Sequence, residues 1–355
     1  MSAASGEHGN EGRNGSSRHE GMRHEGMRHG RAGRGAAPVA ELIRMPVDGP
    51  FSLAAATAFE FGPSTTHPHP DDQTMRLAFV ADDLQHQAGA VIRQEPGGDL
   101  TAEITGVSDI AAAERQVRRI LSVDRPAAGW IAAGRRDPVL GRLQERHHGL
   151  RPVLFRSPYE TAAWAMIAQR RHKSQARVLW HRLAEALGRP FELAGHVRRA
   201  FPAPERLAGL GTFPGLEPRR IERLHVVADR ALAGELDPER LAAMDPDQAI
   251  AALRAVPGLG PVYAGLVYLR STGVADALTL GEPRIPYYVR HYYGLTGTDM
   301  PGTETLSQIA ESWRPFRTWA AVLIRVAGDR DGVSWRAERA EAMRPERESP
   351  ERTGR

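Results

Sequence analysis

The stretch Ala251-Ala252-Leu253-Arg254-Ala255-Val256-Pro257-Gly258-Leu259-Gly260-Pro261-Val262-Tyr263-Ala264 decides how this chain is read. One apolar helix runs into Pro-Gly-Leu-Gly, and a second apolar helix, Val262 to Arg270, begins at once. Two glycines two positions apart let the backbone turn sharply and come close to a partner. The first amides of the second helix have no carbonyl within it to bond, so they offer an anion site. A DNA phosphate fits there, and a hairpin used this way grips the backbone and not the bases. Alone, the Gly-x-Gly fits a plain tight turn between helices better than it fits DNA.

Outward from the hairpin, helix candidates separated by short Pro or Gly breaks run from about Ser108 to Gly328. Ser157-Pro158-Tyr159-Glu160 is a helix start, with Ser as N-cap, Pro at the first position and Glu at the third. From Ala40 to about Gly106 the pattern is short and β-like. Met75 to Val80, Ala88 to Arg93 and Leu100 to Ile104 are strand candidates, with Pro96-Gly97-Gly98-Asp99 as a hairpin turn. The expected fold class is therefore α+β, a mainly α-helical bundle with a small N-terminal mixed β-sheet domain and disordered termini. Its expected divisions are a tail over 1–37, a β-rich domain over 38–107, a helical domain over 108–330 and a charged tail over 331–355. The first tail repeats His-Glu-Gly-Met-Arg (His19 to Arg23, His24 to Arg28) and holds too few apolar side chains to offset its own ordering entropy. Clustered His there could bind a metal, and a solvated low-complexity tail is the plainer reading.

With 41% hydrophobic residues over 355 positions, the chain can bury a substantial core. No stretch approaches the roughly 18 uninterrupted apolar residues of a membrane helix, and the N-terminus lacks a signal-peptide core, so a cytoplasmic location is expected. The absence of cysteine excludes disulfides, thiolate zinc sites and Cys-ligated iron–sulfur clusters. The sequence pI near 9.7 suggests nucleic acid. The tails, however, carry +2 (residues 1–37) and +1 (residues 336–355) of the formal +4, leaving +1 for the rest. A grip on DNA must come from a local patch and from backbone amides.

Four segments in order resemble the 3-methyladenine DNA glycosylase II group of the helix-hairpin-helix DNA glycosylase superfamily. They are Ser157 to Gln169, Phe201-Pro202-Ala203-Pro204-Glu205, the hairpin with Leu253 to Arg270 and the Gly281-Glu282 pair, and Trp313-Arg314-Pro315-Phe316-Arg317-Thr318-Trp319-Ala320. The resemblance covers roughly residues 40 to 328, including the N-terminal sheet. It implies base-excision repair: release of an alkylated, 3-methyladenine-type base flipped out of damaged double-stranded DNA, by a monomer without a required cofactor. Hairpins of this kind can hold a monovalent cation through backbone carbonyls in related proteins.

Breaking an N-glycosidic bond builds positive charge on the deoxyribose, so a fixed carboxylate beside C1′ is required. The family's Asp, at the N-terminus of the helix after the hairpin, aligns with Glu282. With Pro283 at the first helical position, the helix dipole would favour the ionised form of Glu282. Equally, Glu282 could serve only that dipole, and being one methylene longer than Asp it departs from the pattern. Asp276, the nearest other acid, stands before Ala277-Leu278 as a loop anchor. Bifunctional relatives carry a lysine just past the hairpin glycines, where this chain has Val262. Its single lysine is Lys173, which implies a monofunctional enzyme.

The resemblance assigns DNA contact to Pro257, Gly258, Leu259, Gly260 and Val262 in the hairpin and to Gln169, Arg170, Arg171 and Lys173 in the loop after the first matched helix. Arg170 takes the position of the wedge that fills the gap left by the flipped base. A solvated charged loop is the alternative. The aromatic pocket walls of the family fall on Val262, Leu266 and Arg325, so stacking on a cationic base is weakened. Tyr263 and Tyr287, among the tyrosines that follow the hairpin, could supply replacement rings, though helix packing explains tyrosines at this spacing equally well. The departures at Glu282 and in the pocket walls keep open a second reading, a catalytically weak or inactive DNA-binding relative. A third, an interaction scaffold, draws only on the tails.

Overall fold

The computed structural model describes residues 40–59, 62–63, 74–278, 282–295 and 300–335. The tails expected to be disordered, including the histidine repeat and everything after Trp335, lie outside these residues, as does Gly281. All of the described residues fall in a single compact unit.

The N-terminal part runs β1 (Glu41–Met45), α1 (Leu53–Thr57), β2 (Thr74–Val80), β3 (Gln87–Gln94) and β4 (Leu100–Thr105). The sheet order is β1-β4-β3-β2, and every pairing is antiparallel. The sheet is thus antiparallel and not mixed: β1, for which no strand was expected, closes the edge against β4 with Glu41 opposite Ile104. The three expected strands appear within one residue of their expected bounds. The expected turn closes through the Asp99 carbonyl accepting from Glu95 at 2.8 Å. Alternation along β4 buries Leu100, Ala102 and Ile104 against α2 (Ile110–Ile120), whose buried face carries Ala113, Val117 and Ile120.

The helical part continues with α3 (Ala128–Arg136), α4 (Pro138–Arg146), α5 (Pro158–Ala168) and α6 (Lys173–Leu187), then the hairpin β5 (Pro190–Leu193) and β6 (His196–Arg199). Next come α7 (Pro204–Ala208), α8 (Pro218–Leu232), α9 (Pro238–Ala243), α10 (Pro246–Arg254), α11 (Pro261–Ser271), α12 (Ile285–Tyr293), α13 (Thr303–Glu311) and α14 (Arg317–Arg330). The hairpin β5–β6 falls inside the stretch read as helical. It packs Phe191 and Leu193 on the outer face of the first sheet, against Ala78 and Val91. Gly89 permits this approach, since a Cβ there would stand 2.9 Å from Phe191 and Leu193.

Two apolar cores divide the helices. One gathers α5, α6, α8, α10 and α11; the other gathers α3, α4, α12, α13 and α14. α5 is apolar on every side, with Pro158 to Ile167 all buried, so it forms the axis of the first core. Its expected start is present: the Ser157 Oγ accepts from the Glu160 amide at 3.1 Å, and Pro158 opens the first turn. The Phe201-Pro202 stretch packs beside it. Phe201 stacks on Trp180 with centroids 3.8 Å apart, and the Pro202 carbonyl accepts from the Tyr159 hydroxyl at 2.8 Å.

In the second core, Trp313 is almost wholly buried, and its Nε1 donates to the Tyr293 hydroxyl at 2.8 Å and to Asp137 at 3.2 Å. Asp137 also accepts from the Tyr293 hydroxyl at 2.6 Å and caps α4. Arg314 and Arg317 hold Asp276 at 3.0 and 2.7 Å, confirming its place as a loop anchor. Residues 331–335, assigned from sequence to the charged tail, are packed: Asp331 accepts from Tyr292 at 2.8 Å, and Trp335 lies 6.3 Å from the Tyr287 ring.

Candidate active site

The turn between α10 and α11 is built as the glycines require. Gly258 has φ +99°, a left-handed conformation, and a Cβ there would stand 2.9 Å from Met166 Sδ on α5. Gln169, the C-cap of α5, fastens the turn: its Nε2 donates to the Gly258 carbonyl, and its Oε1 accepts from Arg223 at 3.3 Å. The first matched helix and the hairpin therefore meet, but the side chain of Gln169 is spent inside the fold and does not face a ligand. Leu259 is also internal. Its side chain is buried, and its amide donates to the Val256 carbonyl at 2.9 Å, so it anchors the turn by packing. Pro257, Gly260 and Val262 are exposed, Val262 to 52%. The amides of Val262 and Tyr263 make no hydrogen bond among the described residues. Together with Pro261 at the first helical position they form an open helix N-terminus.

Behind the hairpin lies a cavity of about 690 Å³ between the two helical cores, within the range of small-molecule sites. It is lined by Val262, Tyr263 and Leu266 of α11, Arg325 of α14, Arg171 and Lys173 after α5, and Glu282. Seven residues singled out from the sequence thus converge on one space. Tyr287 does not: it packs toward Trp335 and the second core, because the face of α12 that carries it turns away from the cavity. Tyr288, Tyr292 and Tyr293 likewise donate to Asp329, Asp331 and Asp137.

Arg170 is exposed with φ +55°, an uncommon conformation for a residue with a Cβ, at the turn that leaves α5. Its neighbour Arg171 is committed, donating to the Gly215 carbonyl at 2.9 Å and to Glu217 at 3.0 Å.

Glu282 faces the cavity, but not as a helix N-cap. α12 starts three residues later, with Arg284 as its N-cap and Pro286 in its first turn. The Glu282 carboxylate is clasped by Arg284, Oε1 accepting from Nε at 2.8 Å and Oε2 from Nη2 at 3.1 Å. Burial pushes this carboxyl upward, yet the hydrogen bond and charge of Arg284, with the charge of Arg325, outweigh burial and hold it below the usual glutamate range. The guanidinium groups of Arg284 and Arg325, with the Arg284 backbone amide donating to Oε1 at 3.3 Å, keep it ionised.

Several cavity residues, Arg284 among them, went unnoticed in the sequence. Phe59, just after α1, presents its ring to Arg270 at 5.3 Å and to Arg325 at 6.0 Å. Trp164 of α5 adds an aromatic wall. Arg270 is buried, with burial pushing its pKa well down, and Asp329 accepts from Arg325 at 2.9 Å and Arg284 at 3.2 Å. Arg270 was detectable as the one charge on an otherwise apolar helix, and Arg325 with Asp329 as a pair four positions apart. Phe59 had no signal, standing nearly two hundred positions before the hairpin turn at Pro257.

No model of a known protein family matches the chain. Among curated proteins it is similar to a DNA-3-methyladenine glycosylase of Bacillus subtilis, 21% identical over 58% of this chain and 69% of that protein. It is also similar to a probable bifunctional transcriptional activator/DNA repair enzyme AlkA of Mycobacterium tuberculosis, 28% identical over 60% of this chain. It spans only 42% of the mycobacterial relative's length. Among solved structures, the 3-methyladenine DNA-glycosylase of Archaeoglobus fulgidus superposes with a TM-score of 0.66 at 20% identity, over 82% of this chain and 99% of the other. The chain has the fold of the helix-hairpin-helix DNA glycosylases, and the relatives it matches are those of the 3-methyladenine DNA glycosylase group that its four sequence segments resemble.

Proposed function

We propose that this chain is a monofunctional DNA glycosylase of base-excision repair in the cytoplasm. It binds damaged duplex DNA as a monomer, turns the damaged nucleotide into the cavity behind the hairpin and hydrolyses its N-glycosidic bond. The observation that carries the reading is the convergence of Glu282, the exposed start of α11 and the basic residues after α5 on one cavity. The open amides of Val262 and Tyr263 suit a phosphate of the damaged strand. The exposed, left-handed Arg170 suits the gap left in the duplex. As the C1′–N bond breaks, its electron pair leaves with the base, the Glu282 carboxylate offsets the charge on the sugar, and water adds its oxygen at C1′ while its proton passes to the departing base. No side chain of this chain has to hold a metal for that step. Val262 stands where bifunctional relatives carry their lysine, and Lys173, at the first position of α6, is the single amine of its kind, which supports release of the base without strand cleavage.

One observation favours the second reading, a catalytically weak relative: both Glu282 oxygens are engaged by Arg284. A base-release assay on duplex DNA carrying alkylated purines and, separately, the deaminated purine hypoxanthine, with wild type beside Glu282→Gln, distinguishes the two. Release by the wild type, lost on the order of a hundredfold in the variant, supports the enzyme. Equal duplex binding without release by either protein supports the weak relative and removes the enzyme.

A further inference from the structure

Two carboxylates, Glu282 and Asp329, line the cavity beside six basic side chains: Arg171, Lys173, Arg270, Arg284, Arg325 and Arg330. Lys173 and Arg330 are exposed at its rim and suit phosphates, whereas Arg270 and Arg325 are enclosed. Both carboxylates are already matched. Glu282 is held by Arg284, and Asp329 accepts from Arg325, Arg284 and the Tyr288 hydroxyl at 2.9, 3.2 and 2.6 Å. The ring of Phe59 is within cation–π range of both Arg270 and Arg325, so its electron-rich face serves the protein's own cations. A cationic base would enter a space with excess positive charge and no carboxylate left over.

Arg325 offers something different. Its side chain is 14% exposed and lines the cavity, and its Nη1 donates to Asp329. Its Nε and Nη2 make no hydrogen bond among the described residues. A guanidinium only donates, in a planar fork that matches the paired O6 and N7 acceptors of a 6-oxopurine. An alkyl group on N7 removes one acceptor and adds a positive charge, and a 6-aminopurine presents a donor where an acceptor is needed.

We infer that Arg325 makes this cavity selective for uncharged damaged purines with a 6-carbonyl oxygen and a free N7, and against cationic N-alkylated purines. The inference rests on the reading of the cavity as the place that receives an extruded base. Arg325 is a specificity-determining residue, and it acts through a contact in the cavity itself.

The test uses the full chain and duplexes carrying one non-hydrolysable 2′-fluoro nucleotide, with hypoxanthine, 7-methylguanine or an undamaged base, read by fluorescence anisotropy. Wild type should bind the hypoxanthine duplex about tenfold or more tightly than the 7-methylguanine duplex, the discrimination expected of one good Arg–base contact. Arg325→Leu should erase the preference and leave the undamaged duplex unaffected. Arg325→Lys keeps the charge and the Asp329 pair without the fork. It should lose the hypoxanthine preference while still binding 7-methylguanine weakly, and it stands in if the leucine variant does not fold. Equal or tighter binding of 7-methylguanine by wild type overturns the inference and leaves the glycosylase reading intact. A uniform loss across all three duplexes in the variants also overturns it, by making Arg325 a phosphate contact. If wild type binds no damaged duplex more tightly than the undamaged one, the reading of the cavity as a base site fails and the inference with it.

Discussion

Glu160 makes a measurable prediction about the frame that carries the cavity. It sits in the first turn of α5, 1% exposed, with Oε1 accepting from the Val80 amide at 2.9 Å and Oε2 3.9 Å from Arg156. Burial pushes its carboxyl up to about 7 from an ordinary value of 4.5, the charge of Arg156 and the Val80 hydrogen bond offsetting only part of it. An acid whose pKa is raised on folding holds its proton in the native state after the unfolded chain has released it. Stability is therefore highest below the unfolded value and falls as pH rises from about 4.5 through 7. A shift of that size corresponds to roughly 3 kcal/mol in full, of which roughly 2 to 3 kcal/mol falls between pH 5 and 8. Glu160→Gln keeps the carbonyl that accepts from Val80 and removes the ionisation. Urea unfolding of both proteins at pH 5 and pH 8 should show the variant gaining about that amount on the wild type at the higher pH. Any constant cost of the amide beside Arg156 cancels in the comparison. If the stability difference between the two proteins is the same at both pH values, Glu160 does not ionise against its burial and the reasoning fails.

Further outcomes follow from single contacts. Gly258→Ala places a Cβ at φ +99° near Met166; it should cost on the order of 1–3 kcal/mol and weaken duplex binding together with stability in thermal and anisotropy measurements. Trp313→Phe removes the donor to Tyr293 and Asp137 and should destabilise by about 1–3 kcal/mol in denaturant unfolding; a change near zero would mean that water replaces the indole there. Arg170→Glu, at an exposed side chain, should weaken duplex binding at low salt and flatten its salt dependence without lowering the melting temperature. An unchanged salt slope would remove Arg170 from the DNA-facing surface.

How much of this was legible in the sequence depends on the range of each interaction. The hairpin, the Ser157 cap and strands β2 to β4 are local: their turn residues, capping side chain and alternation stand within a few positions of one another. β1 is an edge strand, Glu41–Met45, with four of its five residues outside the core, and only its register with β4 fixes it. The hairpin β5–β6 is two strands of four residues that exist because the first sheet offers a face to cover. At the site, the convergence of Glu282, Leu266 and Arg325 followed from the resemblance, but orientation did not. Which face of α12 looks inward decides that Tyr287 packs against Trp335 instead of lining the cavity. Likewise, the motif names Gln169 and Leu259 without saying that both are used to hold the turn closed.

The departure from the family pattern at Glu282 and the arginine content of the cavity belong together. The extra methylene that distinguishes Glu from Asp is what gives the carboxylate its reach back to a guanidinium two residues later, with both oxygens engaged. Arg284 extends the same alternation to Asp329, and Asp329 to Arg325. The cavity floor is therefore a chain of opposite charges, each satisfied by its neighbour, in which no member can change without exposing the next. An aromatic residue in place of Arg325 would leave Asp329 short of a partner and free it to attract a cationic base; an Asp in place of Glu282 would loosen the hold on Arg284. Glu282 and Arg325 are thus the two ends of one electrostatic unit, joined through Arg284 and Asp329.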